Sequence, residues 1–178
     1  MNQLGRQTAS KAKWALPMDP QSLGPGSVVM AQPGNFDHYF LDSLVLIIEH
    51  DASGTKGVLL NHETPWFVSD LSPGEALEPF VASRVFLGGD AGRDTMVMVH
   101  GEDMLPGAEE VGQGVYKGGV AAAAKAVAAG ALPVDRFKFF YKSVEWLPEA
   151  LAAQIQSGIF RVVALSPARR PVKPRGSS

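Results

Sequence analysis

The stretch Ser43–Glu63, SLVLIIEHDASGTKGVLLNHE, decides how this chain is read. It opens on an unbroken apolar run, Leu44–Ile48. A strand that is half exposed alternates apolar and polar residues, so a continuous run predicts a strand covered on both faces. Asp51–Lys56 collects polar and turn-forming residues, the composition of a hairpin connection. Gly57–Asn61 is then a second strand. We expect Ser43–Ile48 and Gly57–Asn61 to pair antiparallel, with Gly54 or Gly57 in a backbone conformation that other residues resist. Glu49, His50, Asp51, Asn61, His62 and Glu63 gather at the strand ends. They are either a site or the wet ends of a core hairpin, and the core hairpin is the reading adopted.

Working outward, Gly26–Gln32, Arg84–Leu87, Met96–His100, a short segment around Val115, Arg136–Lys142 and Phe160–Leu165 read as further strands. Thr64-Pro65 has the form of a cap followed by a first helical turn. The run GGVAAAAKAVAAG ends a strong helix former on Gly130, the residue type that suits a left-handed C-terminal cap. Pro148–Ser157 reads as a second helix, with Leu147, Leu151 and Ile155 forming one apolar stripe and Trp146 beside it. Many strands and few helices predict a single α+β domain, a mostly antiparallel sheet or partly closed barrel with a few packed helices.

The 178 residues suit one domain. Residues 1–17 read as a flexible basic segment, 18–166 as the folded domain, and 167–178 as a Pro/Arg-rich extended tail. The net charge of -2 conceals a division. Arg6, Lys11 and Lys13 at one end, and Arg169, Arg170, Lys173 and Arg175 at the other, leave a strongly acidic body between them. Such a body is a poor footprint for duplex DNA, whereas basic ends suit RNA or an acidic protein face. With no cysteine, disulfides, thiol catalysis and thiolate-bound zinc are excluded. No apolar run approaches the roughly 20 residues of a membrane-spanning helix, so a soluble chain is expected.

Catalytic signatures are sparse. His50 and His62 flank the hairpin without an HExxH pattern, so no metal is assigned. No serine stands in a G-x-S-x-G turn. Gly88, Gly89 and Arg93 in LGGDAGRD, and Gly118 and Gly119 ahead of the Ala-rich helix, could cradle an anion, or could simply permit tight turns and close packing. With His50, Asn61 and His100 they form the ligand-binding candidates. Arg169, Arg170, Lys173 and Arg175 are the partner-contact candidates. No cofactor is implied.

These segments in this order, GSVVMAQ, SLVLIIEHD and GTKGVLLNHE, then RVFLGGDAGRDTMVMVHG, VGQGVYKGG and RFKFFYKSVEWLPEALAAQIQSGIFRVVALS, resemble the AlgH/YqgE family over about residues 24–166. The FKFF run and Trp14 are similar to a plant and algal plastid branch, which implies a chloroplast location, with the cytoplasm as the alternative. Three motifs depart from the family pattern. Lys142-Ser143-Val144-Glu145-Trp146 stands for G-Y-A-G-W, Gly88-Gly89-Asp90-Ala91 for G-G-P-V, and Asn61-His62-Glu63 for N-R-P. The resemblance implies an α+β domain and carries over no catalytic residue. Two functions are therefore expected, in order. The first is a non-catalytic regulatory or scaffold protein, a subunit of an organellar assembly, working through protein or RNA contacts. The second is a small-molecule or nucleotide-binding enzyme with Arg93 or Lys117 on an anion and His50 or His100 carrying protons.

Overall fold

Two curved, mostly antiparallel sheets share one long strand. The computed structural model describes residues 15–34, 42–71, 75–165 and 170–172. The opening hairpin is its centre. Strand β3 (Leu44–Asp51) pairs antiparallel with β4 (Gly54–Leu59), in register Val45↔Leu59 and Asp51↔Gly54. Both strands run further towards the turn than the apolar pattern implied, while β4 stops at Leu59 rather than Asn61, and only Ala52 and Ser53 connect them. Gly54, at φ 139, is the glycine that takes the unusual conformation.

One sheet continues from this hairpin through β2 (Val28–Ala31) and β11 (Phe160–Leu165) to β1 (Ala15–Pro17). Thus the sheet starts at Ala15, inside the segment read as a flexible extension. The other sheet contains β7 (Ala91–His100), β9 (Val115–Gly118) and β8 (Ala108–Gly112) on one side of β10 (Lys138–Trp146). On the other side, β6 (Arg84–Leu87) runs parallel to β10 and carries β5 (Glu63–Phe67) on its outer edge. The sheets curl without closing, because no ladder among the described residues joins the edge strands β1 and β8.

Side-chain alternation builds three apolar layers. Leu44, Leu46 and Ile48 face inward with Val28, Val58, Val99, Val115, Phe140 and Val163, filling the space between the sheets. Val45 and Ile47 face outward, under helix α3 (Ala150–Gln156), which buries Leu151 and Ile155 on them. On the outside of the second sheet, Met98, Phe137 and Phe139 pack with Phe80 and with Ala123 of α2 (Val120–Ala128). Gly130 follows α2 at φ 72, as its capping role requires.

Strand β10 changes sheets at a left-handed residue, where its pairing with β7 breaks. Phe140 faces the inner layer, yet Val144, four residues on, faces the outer layer beneath α3. Regular alternation would put both on one side. The pairing with β7 slips there from Tyr141↔Met96 to Ser143↔Ala91, two residues of β10 against five of β7, so the extra residues stand on β7, while Lys142, at φ 62, is where β10 itself turns.

Three local expectations are corrected. Thr64-Pro65 does not start a helix: Thr64 donates its hydroxyl to the Val85 carbonyl at 2.6 Å, stitching β5 to β6, and the short helix α1 (Val68–Leu71) comes later. Leu147 is 79% exposed, because left-handed Glu149 delays α3 until Ala150 and leaves Leu147 off the stripe. Strand β7 begins at Ala91, and its first half is largely exposed, so no apolar pattern marked it.

Candidate functional site

The polar residues of the opening hairpin are engaged locally. His50 Nδ1 lies 2.7 Å from the Thr55 hydroxyl across the β3–β4 pair. Asp51 accepts from the Ser53 hydroxyl and from its N–H at 2.7 Å, which holds the Asp51 carboxyl below its usual range. Glu49 meets Lys56 at 3.6 Å and Lys117 of β9 at 3.2 Å, an ion pair that ties the two sheets together. Asn61 accepts the Leu44 N–H at 3.1 Å and donates to the Asp42 carbonyl at 3.0 Å, so its amide substitutes for a ladder bond. His62 Nε2 sits 3.1 Å from the Ser43 hydroxyl, and burial lowers the His62 pKa.

His100 is fully buried. The Glu102 N–H donates to its Nδ1 at 3.1 Å, so Nε2 carries the proton and donates to the Gly118 carbonyl at 3.0 Å. Both ring nitrogens are thereby satisfied in the neutral tautomer. Burial pushes the pKa down, with the Gly118 bond and the Glu102 charge acting against it.

The glycine pairs approach backbone. A Cβ on Gly88 would stand 2.3 Å from the Lys142 carbonyl oxygen, and one on Gly89 2.1 Å from the Ser143 carbonyl. Both seat against the Lys142–Val144 main chain, where β10 changes sheets. Gly118 and Gly119, at φ 78 and 72, turn the chain from β9 into α2. Arg93 lies on the exposed half of β7. His50, His62, His100 and Arg93 thus occupy separate settings: hairpin, strand end, core and surface. Among the described residues no group of three or more His, Cys, Asp or Glu side chains is placed to hold a metal. Arg169, Lys173 and Arg175 lie outside the described residues, while Arg170 is exposed beside a buried Pro171.

Sequence reading missed the feature most suited to contact. Along the β5 edge, Trp66 is 42% exposed and Phe67 37%. Trp66 meets Tyr141 edge-on at 6.4 Å, and the Arg84 guanidinium lies 5.0 Å over the Phe67 ring. Lys142 Nζ stands 5.4 Å from the Tyr141 ring, whose hydroxyl donates to Asp94 at 2.6 Å. That bond, with burial, raises the Tyr141 pKa. A recess of about 410 Å³ opens beside Trp66, walled by Asn61, His62, Pro65 and Leu87. The strand edge itself is blunted. Pro65 has no N–H, the Trp66 N–H is taken by the Thr64 hydroxyl, and the Phe67 N–H by Asp70. The visible signal was PWF, three bulky residues in a segment without helical periodicity.

The AlgH-like family model matches residues 28–171, which includes every sheet strand except β1. The chain belongs to the AlgH-like family. A UPF0301 protein of Parabacteroides distasonis is 29% identical over 140 residues, covering 77% of this chain and 70% of its own. Another, of Bacteroides thetaiotaomicron, is 27% identical over 138 residues, covering 77% and 69%. Two solved structures share the fold. A Corynebacterium diphtheriae protein has a TM-score of 0.68 at 24% identity, covering 90% of this chain and 85% of its own. The AlgH protein of Pseudomonas aeruginosa has a TM-score of 0.62 at 17% identity, covering 84% and 81%. None of these names states a reaction or a partner.

Proposed function

We propose that this AlgH-like chain is a non-catalytic scaffold or regulatory protein that works by contact with other proteins. The observation that supports it is the aromatic ridge of Trp66, Phe67 and Tyr141, flanked by Arg84 and Lys142. Trp, Tyr and Arg are the residues enriched at the energetic centres of protein interfaces. Because the β5 backbone is already bonded, recognition there runs through side chains rather than through an added strand. The cations favour a partner face with acidic side chains around an apolar knob that enters the recess beside Trp66.

The basic tail is a second contact in this proposal, reaching an acidic protein or RNA, and a plastid assembly is its setting. These parts rest on Arg169, Arg170, Lys173 and Arg175 and on the sequence resemblance. The test is capture from an extract of the source organism at low and high salt. Wild type, Trp66→Ala/Phe67→Ala and a chain lacking residues 167–178 are compared, with thermal stability as control. A defined partner set retained by wild type and lost by the ridge variant at unchanged stability supports the proposal. The same set retained by the ridge variant refutes it. Loss on tail deletion that disappears at high salt assigns the tail an electrostatic share.

A further inference from the structure

We propose, resting on that contact function, that the ridge on β5 receives a proline-rich segment of the partner in polyproline II conformation, with an acidic residue beside its prolines. In register, Leu87 of β6 lies next to Tyr141 of β10, and Tyr141 next to Met96 of β7. Trp66 meets Tyr141 from the β5 side. The four form one row across the outer face of the second sheet. Tyr141 and Met96 border the layer on which Phe80 and α2 pack, and Trp66 ends the row exposed.

Main-chain bonding decides the class of occupant. An added strand needs donors and acceptors from a sheet edge. From Pro65 to Phe67 the edge has no main-chain donor left, since the Thr64 hydroxyl and Asp70 take the two N–H groups present. The ridge side chains, in contrast, offer donors. Among the described residues the Trp66 indole N–H has no hydrogen-bond partner, and Arg84 spends one N–H, on the Thr64 carbonyl. The Lys142 ammonium stands over the Tyr141 ring.

A proline-rich segment is the complement. Proline has no N–H, and polyproline II has no internal hydrogen bonds, so its carbonyls ask for donors alone. Its shape is preformed, and its rings dock on aromatic surfaces. The Trp66 and Tyr141 rings stand at 85° with centroids 6.4 Å apart. One turn of polyproline II advances about 9 Å, so prolines a turn apart reach the far sides of this pair. Charge sets the flank. Asp94 and Asp70 are engaged by the Tyr141 hydroxyl and the Phe67 N–H, and Glu63 lines the recess beside Trp66. The prolines therefore enter the recess, and the acidic residue belongs at the Lys142 end. A second copy docked ridge to ridge about a two-fold axis would set like cations together.

The experiment titrates the full, isotope-labelled chain with the end-blocked heptapeptide Glu-Pro-Pro-Leu-Pro-Pro-Glu and follows the indole N–H resonances, that of Trp66 being assigned by its loss in Trp66→Phe. A saturable shift of the Trp66 indole is expected. The peptide with alanine for every proline should bind at least about tenfold more weakly, having lost the preformed shape. Lysine for both glutamates should weaken binding severalfold at low salt, with the difference shrinking at high salt. Trp66→Phe keeps a ring and removes the donor. Followed by backbone amide shifts, it should weaken the glutamate peptide about threefold to tenfold at unchanged melting temperature, the effect of one hydrogen bond. The proposal is overturned by no saturable shift, by equal or tighter binding of the alanine or the lysine peptide, or by saturation confined to residues away from the ridge. Capture of a partner through the ridge without any response to the glutamate peptide would leave the contact function standing and overturn this inference alone.

Discussion

Replacing Gly89 by alanine tests whether the Gly88–Gly89 pair serves packing. The added Cβ would lie 2.1 Å from the carbonyl carbon and oxygen of Ser143 and 2.5 Å from the Val144 nitrogen, where ordinary contact begins near 3.4 Å. The obstacles are main chain, which cannot swing aside as a side chain does. They are also clamped: Ser143 pairs with Ala91 of β7, and Val144 with Gly57 of β4. Overpacking a core typically costs about 1–3 kcal/mol, and rigid obstacles put this case at the upper end or above. We expect a loss of about 3 kcal/mol. At about 2–4 °C per kcal/mol for a chain of this size, melting should fall by roughly 6–12 °C. Two alanine controls separate the causes. Gly24 has no atom within 4 Å and no left-handed backbone, so its change should stay within about 0.5 kcal/mol or stabilise. Gly114, at φ 77 in open space, should lose about 1 kcal/mol from backbone strain alone. Urea unfolding of the three variants gives the comparison. A Gly89 variant no less stable than the Gly114 variant refutes the packing argument and returns the pair to the list of ligand loops.

Leu151→Ala should cost about 2–5 kcal/mol in urea unfolding, since Leu151 is 1% exposed beneath α3, while Leu147→Ala should stay within about 0.5 kcal/mol. His100 is held neutral by burial, so its folded pKa lies below the unfolded value near 6.5. The unfolded chain therefore takes up protons first: stability is full above that value and falls as pH drops from it towards the folded pKa. Urea midpoints at neutral and mildly acidic pH should show this slope, and His100→Gln should reduce it; an unchanged slope would locate the proton uptake elsewhere. At the left-handed turn of β10, Lys142→Gly should be neutral to stabilising by up to about 1 kcal/mol, because relief of left-handed strain opposes added unfolded-state entropy. Lys142→Val should destabilise by at least about 1 kcal/mol, since a β-branched side chain tolerates that conformation poorly.

What the sequence by itself determined was the set of elements whose signal is local. The β3–β4 hairpin followed from an apolar run, a turn composition and a second run. The Ala-rich helix ended at Gly130, and β11 lay where its apolar residues put it. In each case burial of both faces, or helix propensity plus a cap, is written in consecutive residues. The ordered resemblance of these segments was enough for the AlgH-like family, which the match over residues 28–171 established. The roles of the polar residues were not local. Gly88 and Gly89 read either as an anion cradle or as glycines for close packing, and the sequence could not name what they pack against, because Lys142 and Ser143 are more than fifty residues away in the chain. His100 stood as a ligand-binding candidate, and with His50 as a proton carrier in the alternative enzyme reading, because its partners, the Gly118 carbonyl and the Glu102 N–H, are main-chain groups that no residue pattern reveals. Only tertiary structure decided that β10 serves two sheets and that β5 carries an exposed aromatic ridge. The physical reason is the same throughout. Periodicity tells which residues leave water, but not which distant surface receives them.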